Sequence, residues 1–208
     1  ILTHEMVVLL ASRTPRTDIN CTPTGPNGQV AGNNFAHTDS QDMKQRVSLT
    51  PGHYEFAVTG TGDAVGAYSL RVVDAAAAVP LSLQDTNQTT LERGSDLAVY
   101  SFSAQAGSKF AYFPSSVTNS SGAPEYGQIG WTLIDPDGIP DVEGRPVRYE
   151  FGPIVAAKTG TYLFLINGNV NNTSAVNIAF KLQTVDDYLH GDIGADTLRG
   201  EAGDDVLD

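Results

Sequence analysis

Short runs in which apolar and polar residues alternate limit what this chain can fold into more than any other feature. They occur at 54–58 (YEFAV), 99–103 (VYSFS), 131–134 (WTLI), 162–166 (YLFLI) and 176–182 (VNIAFKL). A period of two puts successive side chains on opposite sides of an extended strand, so that one side can be buried. Clusters of turn formers separate the runs, at 50–52 (TPG), 60–63 (GTGD), 135–138 (DPDG) and 167–169 (NGN). No segment combines a helical apolar period with capping residues. Many short strands joined by polar turns predict an all-β fold, an antiparallel β-sandwich of jelly-roll-like type. With 40% hydrophobic residues the chain can fill such a core. Tyr162, Phe164 and Ile166, and likewise Ile178, Phe180 and Leu182, are expected to point inward.

The pattern contains an internal repeat. Residues 50–60 (TPGHYEFAVTG) match 158–168 (KTGTYLFLING), 108 positions later. Gly52 pairs with Gly160, Tyr54 with Tyr162, Phe56 with Phe164, Val58 with Ile166 and Gly60 with Gly168. A loop and a second alternating run follow each copy, at 67–73 and 176–182. Upstream, 6–10 (MVVLL) aligns with 130–134 (GWTLI) if a longer loop follows it in the first copy. The reading is of two related units, a partial one at 1–75 and a complete one at 78–184. Residues 75–80 (AAAAVP) read as their linker. The Thr/Pro/Asn/Gly-rich stretch 11–40, which carries Cys21, is expected to be a long, mobile, exposed loop.

The last residues follow a different rule. Residues 191–199 (GDIGADTLR) and 200–208 (GEAGDDVLD) fit the nonapeptide G-G-x-G-x-D-x-U-x, with Asp192 and Glu201 at the second glycine. Asp187, Tyr188, Leu189 and His190 supply positions six to nine of a partial third copy. Glycines allow tight turns whose carbonyls face inward. Asp196 and Asp205 add a carboxylate to each turn, and Leu198 and Leu207 are placed to face a core. The pattern resembles the RTX, or hemolysin-type, repeat, which implies a parallel β-roll that binds Ca2+. The expected metal-site residues are Asp187, Gly191, Ile193, Gly194, Asp196, Gly200, Ala202, Gly203 and Asp205. They are oxygen donors of the kind that calcium takes six to eight of. In a roll that coils once every two repeats, the turn at Asp187 stacks under 200–205, giving one reasonably complete site. Residues 185–208 therefore read as the start of a calcium β-roll, cut mid-array as in a fragment of a longer protein. The resemblance also implies secretion through a type I exporter.

The two units resemble the bacterial pre-peptidase C-terminal domain and its relatives, among them the collagen-binding modules of clostridial collagenases. Three places carry this likeness. In 96–107 (DLAVYSFSAQAG), Tyr100, Phe102, Ala106 and Gly107 fit the family spacing, while Asp96 lies two positions too far upstream. In 133–138 (LIDPDG) the match is to a turn, and in 160–168 (GTYLFLING) to a strand. The resemblance covers 78–182 well and 44–73 in part. It marks a fold and no chemistry.

Charge and composition narrow the function. The net charge of −12 argues against nucleic acid and against anionic membrane surfaces. Eight of the 24 acidic residues lie in 186–208, beside a single base, Arg199, so the acidity sits where a cation is expected. No run of apolar residues is long enough to span a membrane. One cysteine, Cys21, permits no internal disulfide. His4, His37, His53 and His190 lack metal-ligand spacing, and no nucleophile elbow or phosphate loop occurs. Asp135 and Asp137 allow two readings: a plain β-turn, in which Asp135 bonds its own backbone, or a calcium loop without its third ligand. Trp131 reads as core, against a sugar-stacking platform. Tyr112, Phe113, Tyr126 and Tyr149 are candidates for an exposed aromatic patch. The expectation is a secreted, non-catalytic calcium-binding region, extracellular or at the cell surface, acting as a spacer or ligand-binding unit. An adhesin or carbohydrate-binding module for an extracellular glycan or protein, and the accessory region of a secreted hydrolase such as a protease, remain open.

Overall fold

The computed structural model describes residues 6–12, 18–29, 33–34, 46–67, 70–92, 96–125, 129–168, 174–186, 188–189 and 206–207. Among them the regular structure is all strand apart from a 3-10 turn at Ala75–Ala77. The predicted fold class holds for the sandwich.

The second unit is built from β8 (Val79–Pro80), β9 (Asn87–Leu91), β10 (Leu97–Ala104), β11 (Lys109–Asn119), β12 (Gly130–Ile134), β13 (Pro140–Pro146), β14 (Phe151–Val155), β15 (Gly160–Asn167) and β16 (Val176–Thr184). One sheet runs β13-β12-β15-β10-β8 and the other β14-β11-β16-β9. Every pairing is antiparallel except β10 with β8.

Their facing sides close one core. Tyr100, Phe102, Trp131, Leu133, Tyr162, Phe164 and Ile166 from the first sheet meet Phe110, Tyr112, Ile154, Ile178, Phe180 and Leu182 from the second. Both expected inward sets are therefore inward. Aromatic rings bridge the sheets, with Phe164 stacked on Phe180 at 5.2 Å and Tyr112 on Trp131 at 5.0 Å between centroids. A bulge between Pro114 and Ser116 resets the alternation of β11. Phe110 and Tyr112 precede it on the core side, and Val117 packs against the core after it. An extra residue in one strand has this effect.

Two details depart from the sequence reading. Residues 162–166 are apolar on both sides, and both sides are used: Leu165 forms a second buried cluster with Leu97 and Ile134 on the opposite face. The linker is also shorter than 75–80, because Val79 and Pro80 pair with Tyr100 and Ser101 and belong to the sheet.

The first unit repeats this wiring. It has β1 (Met6–Ser12), β2 (Ile19–Gly25), β3 (Gly28–Gln29), β4 (Asn33–Asn34), β5 (Arg46–Leu49), β6 (Glu55–Gly60) and β7 (Leu70–Asp74). β1 lies between β5 and β7, as β11 lies between β14 and β16. β2 lies between β6 and the short β3 and β4, as β12 lies between β15 and β13. The registers agree, since Cys21 pairs with Val58 and Trp131 pairs with Ile166.

The strand equivalent to 130–134 is therefore β2, and not 6–10. The turn 25–28 (GPNG) takes the place of 135–138 (DPDG). Residues 11–40 are not one exposed loop, for β2 lies within them and Cys21 is buried there beside Ile19, Phe56 and Val58.

Candidate functional site

All nine expected metal-site residues lie outside the described residues: Asp187, Gly191, Ile193, Gly194, Asp196, Gly200, Ala202, Gly203 and Asp205. The structure does describe two short strands, β17 (Tyr188–Leu189) just after Asp187 and β18 (Val206–Leu207) just after Asp205. These pair in parallel, Tyr188 with Val206 and Leu189 with Leu207, at a spacing of two nonapeptides. The residues that follow β16 are tied to the start of β11. The Val185 amide donates to the Lys109 carbonyl at 3.0 Å, and Lys109 Nζ donates to the Asp186 carbonyl at 2.6 Å. Among the described residues no group of three His, Cys, Asp or Glu side chains is placed to hold a metal.

The alternative cation loop at Asp135 proves to be a turn closed by a lysine. The Asp135 carboxylate accepts from the Ile139 amide at 2.7 Å, and the Gly138 amide donates to the Asp135 carbonyl at 2.9 Å. Lys158 Nζ lies 2.5 Å from Asp135 Oδ2 and 2.7 Å from Asp137 Oδ2. Its ammonium stands between the two carboxylates. Burial alone pushes the Asp135 carboxyl up, but hydrogen bonds from Lys158 and the backbone outweigh it and hold the group below the usual carboxylate range. The same carboxylates hold the Lys158 ammonium well above its ordinary value. Asp141 is pushed up, first by burial and then by the charge of Asp135.

The four aromatic candidates do not form one patch. Tyr112 is fully buried, and its hydroxyl donates to the Val147 carbonyl at 2.7 Å. Phe113 is half-buried. Tyr149 is exposed beside the Arg148 guanidinium. Tyr126 lies outside the described residues. Trp131 is fully buried against Tyr112 and Phe164, a core residue as read. Burial raises the Cys21 thiol, which disfavours the reactive thiolate.

Sequence reasoning missed a polar depression on the outer face of the second sheet. Gln88, Thr89, Thr90, Ser116, Asn177, Ile178 and Ala179 line about 380 Å³. Thr90 pairs with Asn177 across β9 and β16 and donates to its Oδ1 at 2.8 Å. Ala179 faces Gln88 and Ser116 on the neighbouring strands, and its small side chain leaves the hollow. The polar positions of 87–91 and 176–182 were visible as the solvent half of the alternation. Their meeting with Ser116 depended on the bulge.

No described helix is long and apolar enough to cross a membrane. No protein-family model and no curated protein matches the chain. Among solved structures, the chain is similar to a periplasmic inhibitor of g-type lysozyme from Aeromonas hydrophila, at 14% identity and a TM-score of 0.34. That match covers 51% of this chain and 96% of the inhibitor. It is similar also to the pre-peptidase C-terminal domain of a collagenase from Bacillus anthracis, at 19% identity and a TM-score of 0.33. Here 50% of this chain and 94% of the domain are covered. Likeness of that degree carries no function across.

Proposed function

We propose that this chain is a non-catalytic region of a secreted RTX-type protein, in which a β-sandwich module leads into a calcium-dependent β-roll. The observation that carries the reading is the parallel pairing of Leu189 with Leu207. A parallel pair spaced by two nonapeptides is what a roll that coils once every two repeats requires. The donor chemistry fits calcium: the carboxylates of Asp187, Asp196 and Asp205 and the carbonyls of the glycine turns are hard oxygens.

Calcium would supply charge neutralisation. Eight acidic residues crowd into 186–208, and their repulsion opposes folding until a cation offsets it. Low calcium inside the cell would leave the segment open for export, and extracellular calcium would close it. A single site formed by 185–208 is expected to bind with a Kd of roughly 10⁻⁴–10⁻³ M. Calorimetric titration of the full chain tests this. Saturable heat that is lost in Asp205→Ala supports the reading, and binding unchanged by that substitution rejects it.

The polar depression favours a second role for the sandwich as a glycan-binding surface. Gln88, Thr90, Ser116 and Asn177 offer amide and hydroxyl groups suited to a hydroxylated neutral ligand. Binding on a glycan array that Asn177→Ala abolishes would support it. An array without signal would leave the sandwich a spacer.

A further inference from the structure

The end of β16, which leads into the nonapeptides, is gripped from two sides. On one side stands the start of β11. Phe110 is the strand partner of Thr184, and the Val185 amide bonds onward to the Lys109 carbonyl. Lys109 Nζ then takes the Asp186 carbonyl. On the other side stands the turn between β8 and β9. The Gln84 amide donates to the Leu182 carbonyl at 3.3 Å. Gln84 Nε2 donates to Thr184 Oγ1 at 2.6 Å and to the Thr184 carbonyl at 3.3 Å. The carbonyls of residues 182, 184 and 186 are thus held in turn, and Val185 between them is buried. Asp187 alone separates this grip from β17.

Gln84 holds a strained backbone to do this. Its φ is 73°, and among the described residues no other residue but glycine has a positive φ. That region disfavours a side chain. The turn around it is braced by Asn87, whose Oδ1 accepts from the Ser82 amide at 3.1 Å. Asn87 Nδ2 donates to the Ser82 carbonyl at 2.7 Å and to the Asp85 carbonyl at 3.1 Å. Strain that the surroundings impose on one residue points to a use for that residue. The side chain of Gln84 is spent on Thr184.

We infer, on the footing of the calcium roll proposed above, that Gln84 and Lys109 are positioning residues for the calcium site. They fix the chain as far as Asp186, so that Asp187, the first expected ligand, follows directly from an anchor. An anchored entry lowers the entropy that calcium must offset when it orders the segment. Coupling of this kind is reciprocal, so bound calcium also steadies the end of β16.

Calcium titration calorimetry on the full chain tests this, with urea unfolding and amide exchange at Val185 as further readouts. Gln84→Gly relieves the φ and removes the side-chain bonds. The sandwich should be as stable as the wild type or more so, while the calcium Kd should rise about tenfold, the low end of the effect of losing a supporting group behind a metal ligand. Lys109→Met keeps the apolar stem and should also weaken calcium, and Lys109→Arg, which keeps a donor, should restore most of the affinity. The sign is diagnostic, because by charge alone the removal of a cation near a calcium site tightens binding. Calcium should slow exchange of the Val185 amide in the wild type and not in Gln84→Gly. Unchanged affinity in Gln84→Gly, with equal or tighter binding in Lys109→Met, would overturn the inference and leave the roll standing. A wild type that gives no saturable calcium heat would overturn the roll, and the inference with it.

Discussion

The Tyr162 hydroxyl donates to the Lys158 carbonyl across 2.9 Å, and Tyr54 makes the same bond to the Thr50 carbonyl, also at 2.9 Å. Between each pair lies a glycine in an equivalent conformation, Gly160 at φ 155° and Gly52 at φ 157°. The repeat thus preserves a corner as well as a strand. In the second unit the corner is closed on both sides, because the Lys158 amide donates back to the Tyr162 hydroxyl at 3.1 Å. Tyr162→Phe should cost about 1–2 kcal/mol, the usual effect of removing one partner of a buried hydrogen bond. Urea unfolding measures it. Tyr54→Phe should cost less, since Tyr54 is half-buried and water can replace the lost partner.

The corner glycine is held by contact as well as by φ. A methyl group on Gly160 would sit 2.7 Å from Pro136 Cγ, and one on Gly52 would collide with Pro26 Cγ. Each substitution by alanine should therefore destabilise by more than about 1 kcal/mol, against the gain that Gly→Ala gives at a compatible site. Stabilisation by Gly160→Ala would show that the turn 135–138 does not press on this corner.

Phe164→Ala tests the core. Phe164 is fully buried and stacks with Tyr112, Trp131 and Phe180. Truncation should cost about 3–5 kcal/mol by urea denaturation. Phe56→Ala, at the equivalent half-buried position, should cost distinctly less.

The sequence made the strands and their inward faces legible because a period of two is a local property. It did not reveal the wiring of the first unit. Cys21 and Pro23 stand where the second unit has Trp131 and Leu133, so no residue likeness marked β2 as the partner of β6. The second face of β15 escaped for a related reason, since an apolar run on both sides has no polar half to label the outside. Lys158 lies 23 residues from Asp135, and such an ion pair exists only after the strands are assembled. The nonapeptide turns were the clearest chemistry in the sequence, yet the described structure holds only the strands on either side of them.

The Lys158–Asp135 pair predicts an acid edge to stability. The Asp135 carboxyl is lower when folded than its ordinary value of 3.8, so its contribution is complete above that value. It is lost as pH falls through the folded value. Lowering pH from 5 towards 2 should therefore shift the urea midpoint of the wild type downward. In Lys158→Met the buried Asp135 loses its cation and that acid sensitivity shrinks, while stability at neutral pH falls. Unaltered pH dependence in the variant would show that the pair does not couple to folding.

The central claim is that residues 185–208 form a calcium-dependent roll, and backbone amide signals in the full chain test it most directly. Millimolar calcium should shift Gly191, Gly200 and Asp205 together, and should slow exchange at Leu189 and Leu207, which pair across β17 and β18. Asp205→Ala should abolish both effects. Calcium shifts that instead gather at 135–141 and survive Asp205→Ala would contradict the account and move the cation to the Asp135 turn.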